Sequence, residues 1–232
     1  MTIRFAVTGM ERSGTMWLSL VLDDDPNVKV YHEPAPLKAW DGQVFAMTHD
    51  GTLDAASFVK ARYNYWLYTS PNHQDKAEVN SVIRYVAGVV RDVWEIPVAA
   101  IVRDGRLTVR SLMKRGTFQR QGMPGFEPPA EIADDPFACC CWYWADAYER
   151  LEQQGIPVWR LEDLNENEAE FDRLCEFLGI TVRKAAWDWL AGQPAHASIA
   201  QDTPLDWDEQ QAATFDRWAG AMQENFGYER AA

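Results

Sequence analysis

Apolar and polar positions divide this chain into short continuous apolar runs and longer stripes of helical period. Residues 3 to 8 form a run short enough for a strand buried on both faces, and Gly14 to Leu22 reads as a helix directly after it. Val28 to Tyr31 predicts a second strand. Val59, Tyr63 and Trp66 fall at helical spacing, and Val82, Ile83, Val86, Val89, Val90 and Val93 make a fuller stripe leading into the apolar run Pro97 to Val102. A helix opens after Arg103, another covers Phe137 to Leu151, and Val158 to Leu161 reads as a strand. Phe171, Leu174, Cys175 and Leu178 then share one helical face that Gly179 ends, and Phe215, Trp218, Ala219, Met222 and Phe226 make a last amphipathic helix. Strands alternating with helices in this way predict an α/β fold, a single three-layer domain over residues 1–232 with a mainly parallel sheet. Ligands of such sheets bind beyond the C-terminal ends of the strands.

Composition narrows the class of protein without changing the fold. The chain is 47% hydrophobic with eleven Trp, enough for a sizeable core, and it carries no apolar run of membrane-spanning length. Its first residues enter a strand with no signal-peptide pattern, which leads us to expect a cytoplasmic protein with no membrane span. A net charge of −13 argues against nucleic acid and anionic membranes as partners. Positive charge is concentrated between residues 103 and 120, where Arg103, Arg106, Arg110, Lys114, Arg115 and Arg120 face Asp104 alone. Cys139, Cys140 and Cys141 are consecutive and would point about 100° apart on a helix, so with Cys175 they read as core thiols and not as metal ligands.

Both strand-to-helix turns carry candidate chemistry. In Val7-Thr-Gly-Met-Glu-Arg-Ser-Gly-Thr-Met-Trp17, Gly9 and Gly14 have the spacing of a P-loop, where backbone N–H groups and a helix N-terminus converge on an anion. Thr15 stands where a nucleoside triphosphatase has its Lys, and Met16 where it has its Mg²⁺-binding hydroxyl, so no metal is expected. Arg12 supplies the charge from within the loop, and Trp17 follows as a candidate stacking partner for a base. In the second turn, Arg103 lies at the end of the strand and Ser111 eight residues later on the helix. A guanidinium offers planar paired donors suited to a phosphate monoester.

Arg12-Ser13-Gly14-Thr15-Met16 resembles the 5′-phosphosulfate loop of the sulfotransferases that use 3′-phosphoadenosine 5′-phosphosulfate (PAPS), with Met16 in place of a second Thr. Arg103 and Ser111 resemble that family's 3′-phosphate site. Val102-Arg-Asp-Gly-Arg106 is most similar to the tyrosylprotein branch, where the position of Arg115 also contacts the nucleotide. Leu161 stands where the family often has a Tyr near the adenine. The likeness runs in scattered motifs from about Arg4 to Ile180. It implies a P-loop-like nucleotide site and transfer of a sulfuryl group to a hydroxyl or amine, with adenosine 3′,5′-bisphosphate leaving.

The same resemblance nominates a base. Glu33 comes 21 residues after Arg12, the offset of the catalytic Glu in the tyrosylprotein branch. His32 is its rival, because the cytosolic aryl sulfotransferases use a His base, though from a later segment; neighbours on an extended strand point to opposite faces, so only one of the two is expected to serve. Lys76, 27 residues before Arg103, corresponds to a Lys that sits on the sulfuryl group. Arg12, Lys76 and the loop N–H groups would stabilise developing charge. Residues 33 to 56 and 116 to 135 are candidate walls for a small-molecule, lipid or carbohydrate acceptor. A P-loop kinase and a nucleotide-binding protein without catalysis are the alternatives.

Overall fold

The computed structural model describes residues 2–38, 40, 54–69, 74–118, 127–191 and 207–230. Five strands, β1 (Ile3–Gly9), β2 (Val28–His32), β3 (Asp75–Val79), β4 (Val98–Val102) and β5 (Val158–Arg160), form one sheet in the order β2-β3-β1-β4-β5. Every pairing is parallel. The helices are α1 (Thr15–Leu22), α2 (Ala55–Thr69), α3 (Ala87–Trp94), α4 (Gly105–Arg115), α5 (Pro136–Gln153), α6 (Leu161–Glu166), α7 (Glu168–Leu178), α8 (Lys184–Ala191), α9 (Glu209–Trp218) and α10 (Gly220–Asn225).

Each strand residue chooses a layer by its parity. Phe5, Val7, Ala99 and Ile101 face one side and pack with Trp17, Leu18, Val21 and Leu22 of α1, Leu164 of α6 and Phe171 of α7. Ala6, Ala100 and Val102 face the other, against Val59, Tyr63 and Trp66 of α2, Val109 of α4, Tyr143, Trp144 and Tyr148 of α5 and Phe215 of α9. Both faces are therefore covered, which an all-parallel sheet requires. Each large apolar side chain buried this way contributes about 1.5–3 kcal/mol. The result is the three-layer α/β domain that the pattern predicts.

Three elements differ from the sequence reading. Strand β3 was not among the predicted strands, because Asp75-Lys-Ala-Glu-Val79 carries charge into the core. Lys76 and Glu78 are fully buried on the face covered by α2. Glu78 accepts from both Nη atoms of Arg62, at 2.7 and 3.0 Å, and from the Tyr63 hydroxyl, while Lys76 Nζ lies 5.5 Å from the Tyr31 ring centroid. Compensation from a neighbouring layer is invisible to a hydropathy pattern. The stripe from Val82 to Val93 is a 3₁₀ turn, Val82–Tyr85, followed by α3, because Val86 at φ −130° interrupts the helical path. The last amphipathic stripe likewise splits into α9 and α10 at Ala219, φ −128°.

Cys139, Cys140, Cys141 and Cys175 are buried free thiols. Burial pushes Cys140 up to about 12. Among the described residues no helix is long and apolar enough to cross a membrane.

Candidate functional site

The site lies beyond the C-terminal ends of β1, β2 and β4. Gly9 ends β1 against β4, where a Cβ would sit 2.5 Å from the Ile101 carbonyl oxygen, so no larger residue allows this approach. The Ser13 hydroxyl and N–H both donate to the Met10 carbonyl, at 2.6 and 3.2 Å, closing a tight turn in which Arg12 adopts φ +73°. Gly14 starts α1 at φ +93° with no side-chain cap. A helix start leaves its first N–H groups without intrahelical partners, and such a helix start after a glycine-containing turn is suited to an anion.

Buried polar groups set this loop from below. Glu11 pairs with Arg84 at 3.2 Å and accepts from the Tyr143 hydroxyl at 3.1 Å. Arg84 is wholly buried and also donates to the Ser81 carbonyl, to the Tyr85 hydroxyl at 2.6 Å and to the Tyr143 hydroxyl. Burial outweighs the neighbouring guanidinium at Tyr85 and pushes its phenol up to about 12. On the other side, the Tyr148 hydroxyl donates to the Ile101 carbonyl at 3.0 Å and accepts from the Met10 N–H at 3.4 Å.

The two turns meet through Arg12. Its Nε donates to Ser111 Oγ at 2.8 Å, and Arg103 Nη1 lies 3.5 Å from the Arg12 carbonyl. Burial lowers the pKa of Arg103, and the nearby charges of Arg110 and Arg12 push the same way, against Glu162 and Asp104. The Arg103 Nε is buried and makes no hydrogen bond among the described residues. One guanidinium on the Ser111 hydroxyl, a second beside it and a buried donor left over on that second one suit a phosphate group. Arg115 lies one turn past Ser111 on the same face of α4 and is exposed.

At the end of β2, His32 Nε2 is 3.1 Å from Thr15 Oγ1. Burial lowers its pKa, Glu33 opposes that and Lys38 adds to it. Glu33 turns away, at φ +43°, accepting from Ser81 Oγ at 3.1 Å. The chain is no longer extended at Glu33, so strand alternation does not set its direction; His32 touches the loop at Thr15, and Glu33 touches Ser81 after β3.

Two expectations are corrected. Lys76 pairs in register with Ile3, at the opposite end of the sheet from Gly9, and six residues at 3.3 Å each place it roughly 20 Å from the loop. It cannot reach a group held there. Trp17 is 3% exposed and points from α1 into the core against the sheet, so its indole offers no open face to a base. Leu161 packs against Gly14, where a Cβ would meet its Cδ2 at 2.5 Å. Met16 is 40% exposed on the outer side of α1. Of the two candidate acceptor walls, residues 39, 41–53 and 119–126 lie outside the described residues, as does Arg120 of the basic stretch. Trp40 packs on Phe58 and Tyr65 at centroid distances of 5.4 and 5.8 Å, giving the first wall an aromatic surface.

The sequence reading missed Glu11, Ser81, Arg84 and Tyr143. Its one available signal was a charged residue, Arg84, inside the apolar stripe between Ile83 and Val86.

The chain superposes on solved sulfotransferase structures over nearly its whole length. One from Mycobacterium avium aligns at a TM-score of 0.60, with 12% identity over 99% of this chain and 78% of that one. The sulfotransferase domain of a Synechococcus olefin synthase aligns at 0.53, with 14% identity over 99% and 95% of the two chains. The fold is that of the sulfotransferases. A sulfotransferase from Alicyclobacillus acidocaldarius shares it at 0.52, with 13% identity over 98% of this chain and 96% of that one. No family model and no curated protein sequence matches the chain. Within the sulfotransferase fold, the Gly9–Gly14 loop after β1 and the Arg103 turn after β4 occupy adjacent strand ends.

Proposed function

We propose that this protein is a PAPS-dependent sulfotransferase acting on the hydroxyl or amine of a small molecule, lipid or carbohydrate, and that it works in the cytoplasm. The observation that carries the reading is the bond from Arg12 Nε to Ser111 Oγ, with Arg103 beside it. It joins the two turns that resemble the 5′ and 3′ halves of one nucleotide site, with a wording around Arg103 closest to the tyrosylprotein branch. The loop N–H groups of Gly14, Thr15 and Met16, with Arg12, would hold the 5′ end, and Arg103, Ser111 and Arg115 the 3′ end, while Ser13, whose N–H and hydroxyl both donate to the Met10 carbonyl, shapes the loop. The donor supplies an activated sulfuryl group. Glu33 takes the proton of the acceptor, oriented by the Ser81 hydroxyl, while His32 holds the Thr15 hydroxyl toward the loop. Arg12 stabilises charge on the leaving phosphate from within the loop. Lys76 takes no part.

Thermal denaturation tests the donor. At a hundred times its Kd, adenosine 3′,5′-bisphosphate stabilises by about 2.7 kcal/mol, an upward shift in Tm of roughly 5–10 °C for a domain of this size. AMP should give far less, and Arg103→Ala should erase most of the difference. Equal stabilisation by AMP would exclude a dedicated 3′ site. Transfer of label from PAPS to a panel of acceptors tests the reaction; binding of the bisphosphate with no transfer to any acceptor would leave a nucleotide-binding protein without turnover.

A further inference from the structure

The C-terminal segment reaches back to the turn that presents Arg103. Gln223, on α10, is completely buried. Its Oε1 accepts from the Gly105 N–H at 2.9 Å, and its Nε2 donates to Asp104 Oδ1 at 2.9 Å and to the Glu229 carbonyl at 3.2 Å. One side-chain amide thus grips both residues that follow Arg103. The fit is close: a Cβ on Gly105 would lie 2.8 Å from that same Oε1 and 2.9 Å from the Trp144 ring.

A second contact fixes the other side of the turn. Glu162, on α6, accepts from the Asp104 N–H at 3.2 Å and from the Tyr228 hydroxyl. Asp104 also caps α4 through the Arg106 N–H at 2.8 Å and pairs with the Arg106 guanidinium at 2.6 Å, which in turn reaches the Arg230 carbonyl at 3.3 Å. The Asp104 and Gly105 N–H groups and the Asp104 carboxylate are thus held by α6, by Gln223 and by Arg106, while the Arg103 Nε makes no hydrogen bond among the described residues. Rigid surroundings around a guanidinium with a donor to spare are what a pre-organised anion contact needs, because a donor held in place loses little freedom when its ligand arrives.

We infer that Gln223 is a positioning residue that sets Arg103 for recognition of the nucleotide's 3′-phosphate, so that the C-terminal segment governs discrimination between nucleotides with and without that group. This rests on the donor reading above. The Gly105 N–H and the Asp104 carboxylate lose their partner when Gln223 becomes Met, a side chain of similar length without hydrogen-bonding groups. The turn then relaxes and Arg103 is no longer aimed.

The test is titration calorimetry of the full chain with adenosine 3′,5′-bisphosphate and, by competition, with AMP. Gln223→Met should weaken the bisphosphate by about tenfold or more, the scale of two lost hydrogen bonds, and change AMP by less than about twofold, since AMP makes only the 5′ contacts. Tyr228→Phe, which removes the hydroxyl bond on Glu162, should move the same ratio in the same direction by a smaller factor, and it carries the test if circular dichroism finds Gln223→Met unfolded. Equal weakening of both nucleotides, or no change in either, would show that the segment only supports the fold. Should the wild-type protein bind AMP as tightly as the bisphosphate, the donor reading falls and this inference with it; a wild-type preference that survives in both variants overturns the role of Gln223 alone.

Discussion

Replacing Arg84 by Met is the sharpest probe of how the loop after β1 is held. Arg84 is wholly buried, and its pair with Glu11 at 3.2 Å is the charged contact beneath residues 10 to 14. Breaking a buried ion pair from one side costs about 3–5 kcal/mol, because the remaining charge is stranded. The Glu11 side chain keeps 25% of its surface in solvent and a bond from Tyr143 at 3.1 Å, so it can partly rehydrate and the lower end applies, about 3 kcal/mol. For a domain of this size that is a fall in Tm of roughly 6–12 °C. Adding Glu11→Leu should restore roughly 1–2 kcal/mol by removing the stranded carboxylate. Urea denaturation of the wild type, both single variants and the double variant reads the cycle. The double variant should still bind adenosine 3′,5′-bisphosphate more weakly than wild type, since nothing then pins the residue before Arg12. A loss below about 1 kcal/mol for Arg84→Met, or a double variant no more stable than it, would refute the reasoning.

Other expectations follow from the same geometry. Glu33→Gln should lower kcat by roughly 10² to 10⁴ with little change in bisphosphate affinity, whereas Arg12→Ala should weaken donor binding and turnover together; single-turnover transfer beside calorimetry decides, and near-normal turnover in Glu33→Gln with loss in His32→Ala would transfer the base to His32. Gly14→Ala meets Leu161 at 2.5 Å on a backbone at φ +93°, and thermal melts should show a loss of about 1–3 kcal/mol; full wild-type stability would mean the loop is freer than drawn. The folded-state pKa of His32 lies below its ordinary 6.5, so just below that pH the unfolded chain binds a proton that the folded one refuses, and stability falls as pH drops. His32→Gln should flatten that part of the Tm curve, and an unchanged slope would rule out this contribution. Lys76→Met, far from the loop, should leave transfer intact at 25 °C; a large fall in kcat in a folded variant would reopen its catalytic role.

Local signals were legible in the sequence and cross-layer ones were not. The strands β1, β2 and β4 declared themselves as apolar runs, and the loop glycines announced a turn whose close approaches only glycine permits. Arg12 and Ser111 each stood out by spacing in their own turn, but the bond between them is a contact across 99 residues that the sequence did not show. Lys76 was misplaced because spacing in sequence says nothing about which end of a strand a residue occupies, and β3 was hidden because its charges are answered by Arg62 and Tyr63 from another layer. Trp17 was read as a ligand contact from its nearness to the loop, yet helical geometry turns it under α1 with Leu18, Val21 and Leu22. Gln223 had no signal at all, since a lone amide in an amphipathic helix looks like surface until the helix is docked.

The grip of Gln223 on Asp104 spans 119 residues, and the Arg12–Ser111 bond spans 99. Contacts of such separation form late, after the entropy of closing long loops has been overcome. On the ribosome the Arg103 turn cannot be completed until α10 has emerged, well after the strands of the sheet. The sheet and its tryptophan-rich layers can be assembled before then. A partly synthesised or C-terminally clipped chain would thus hold most of its core while lacking a finished Arg103 turn, and in refolding the tryptophan fluorescence should settle before affinity for the bisphosphate proposed above returns.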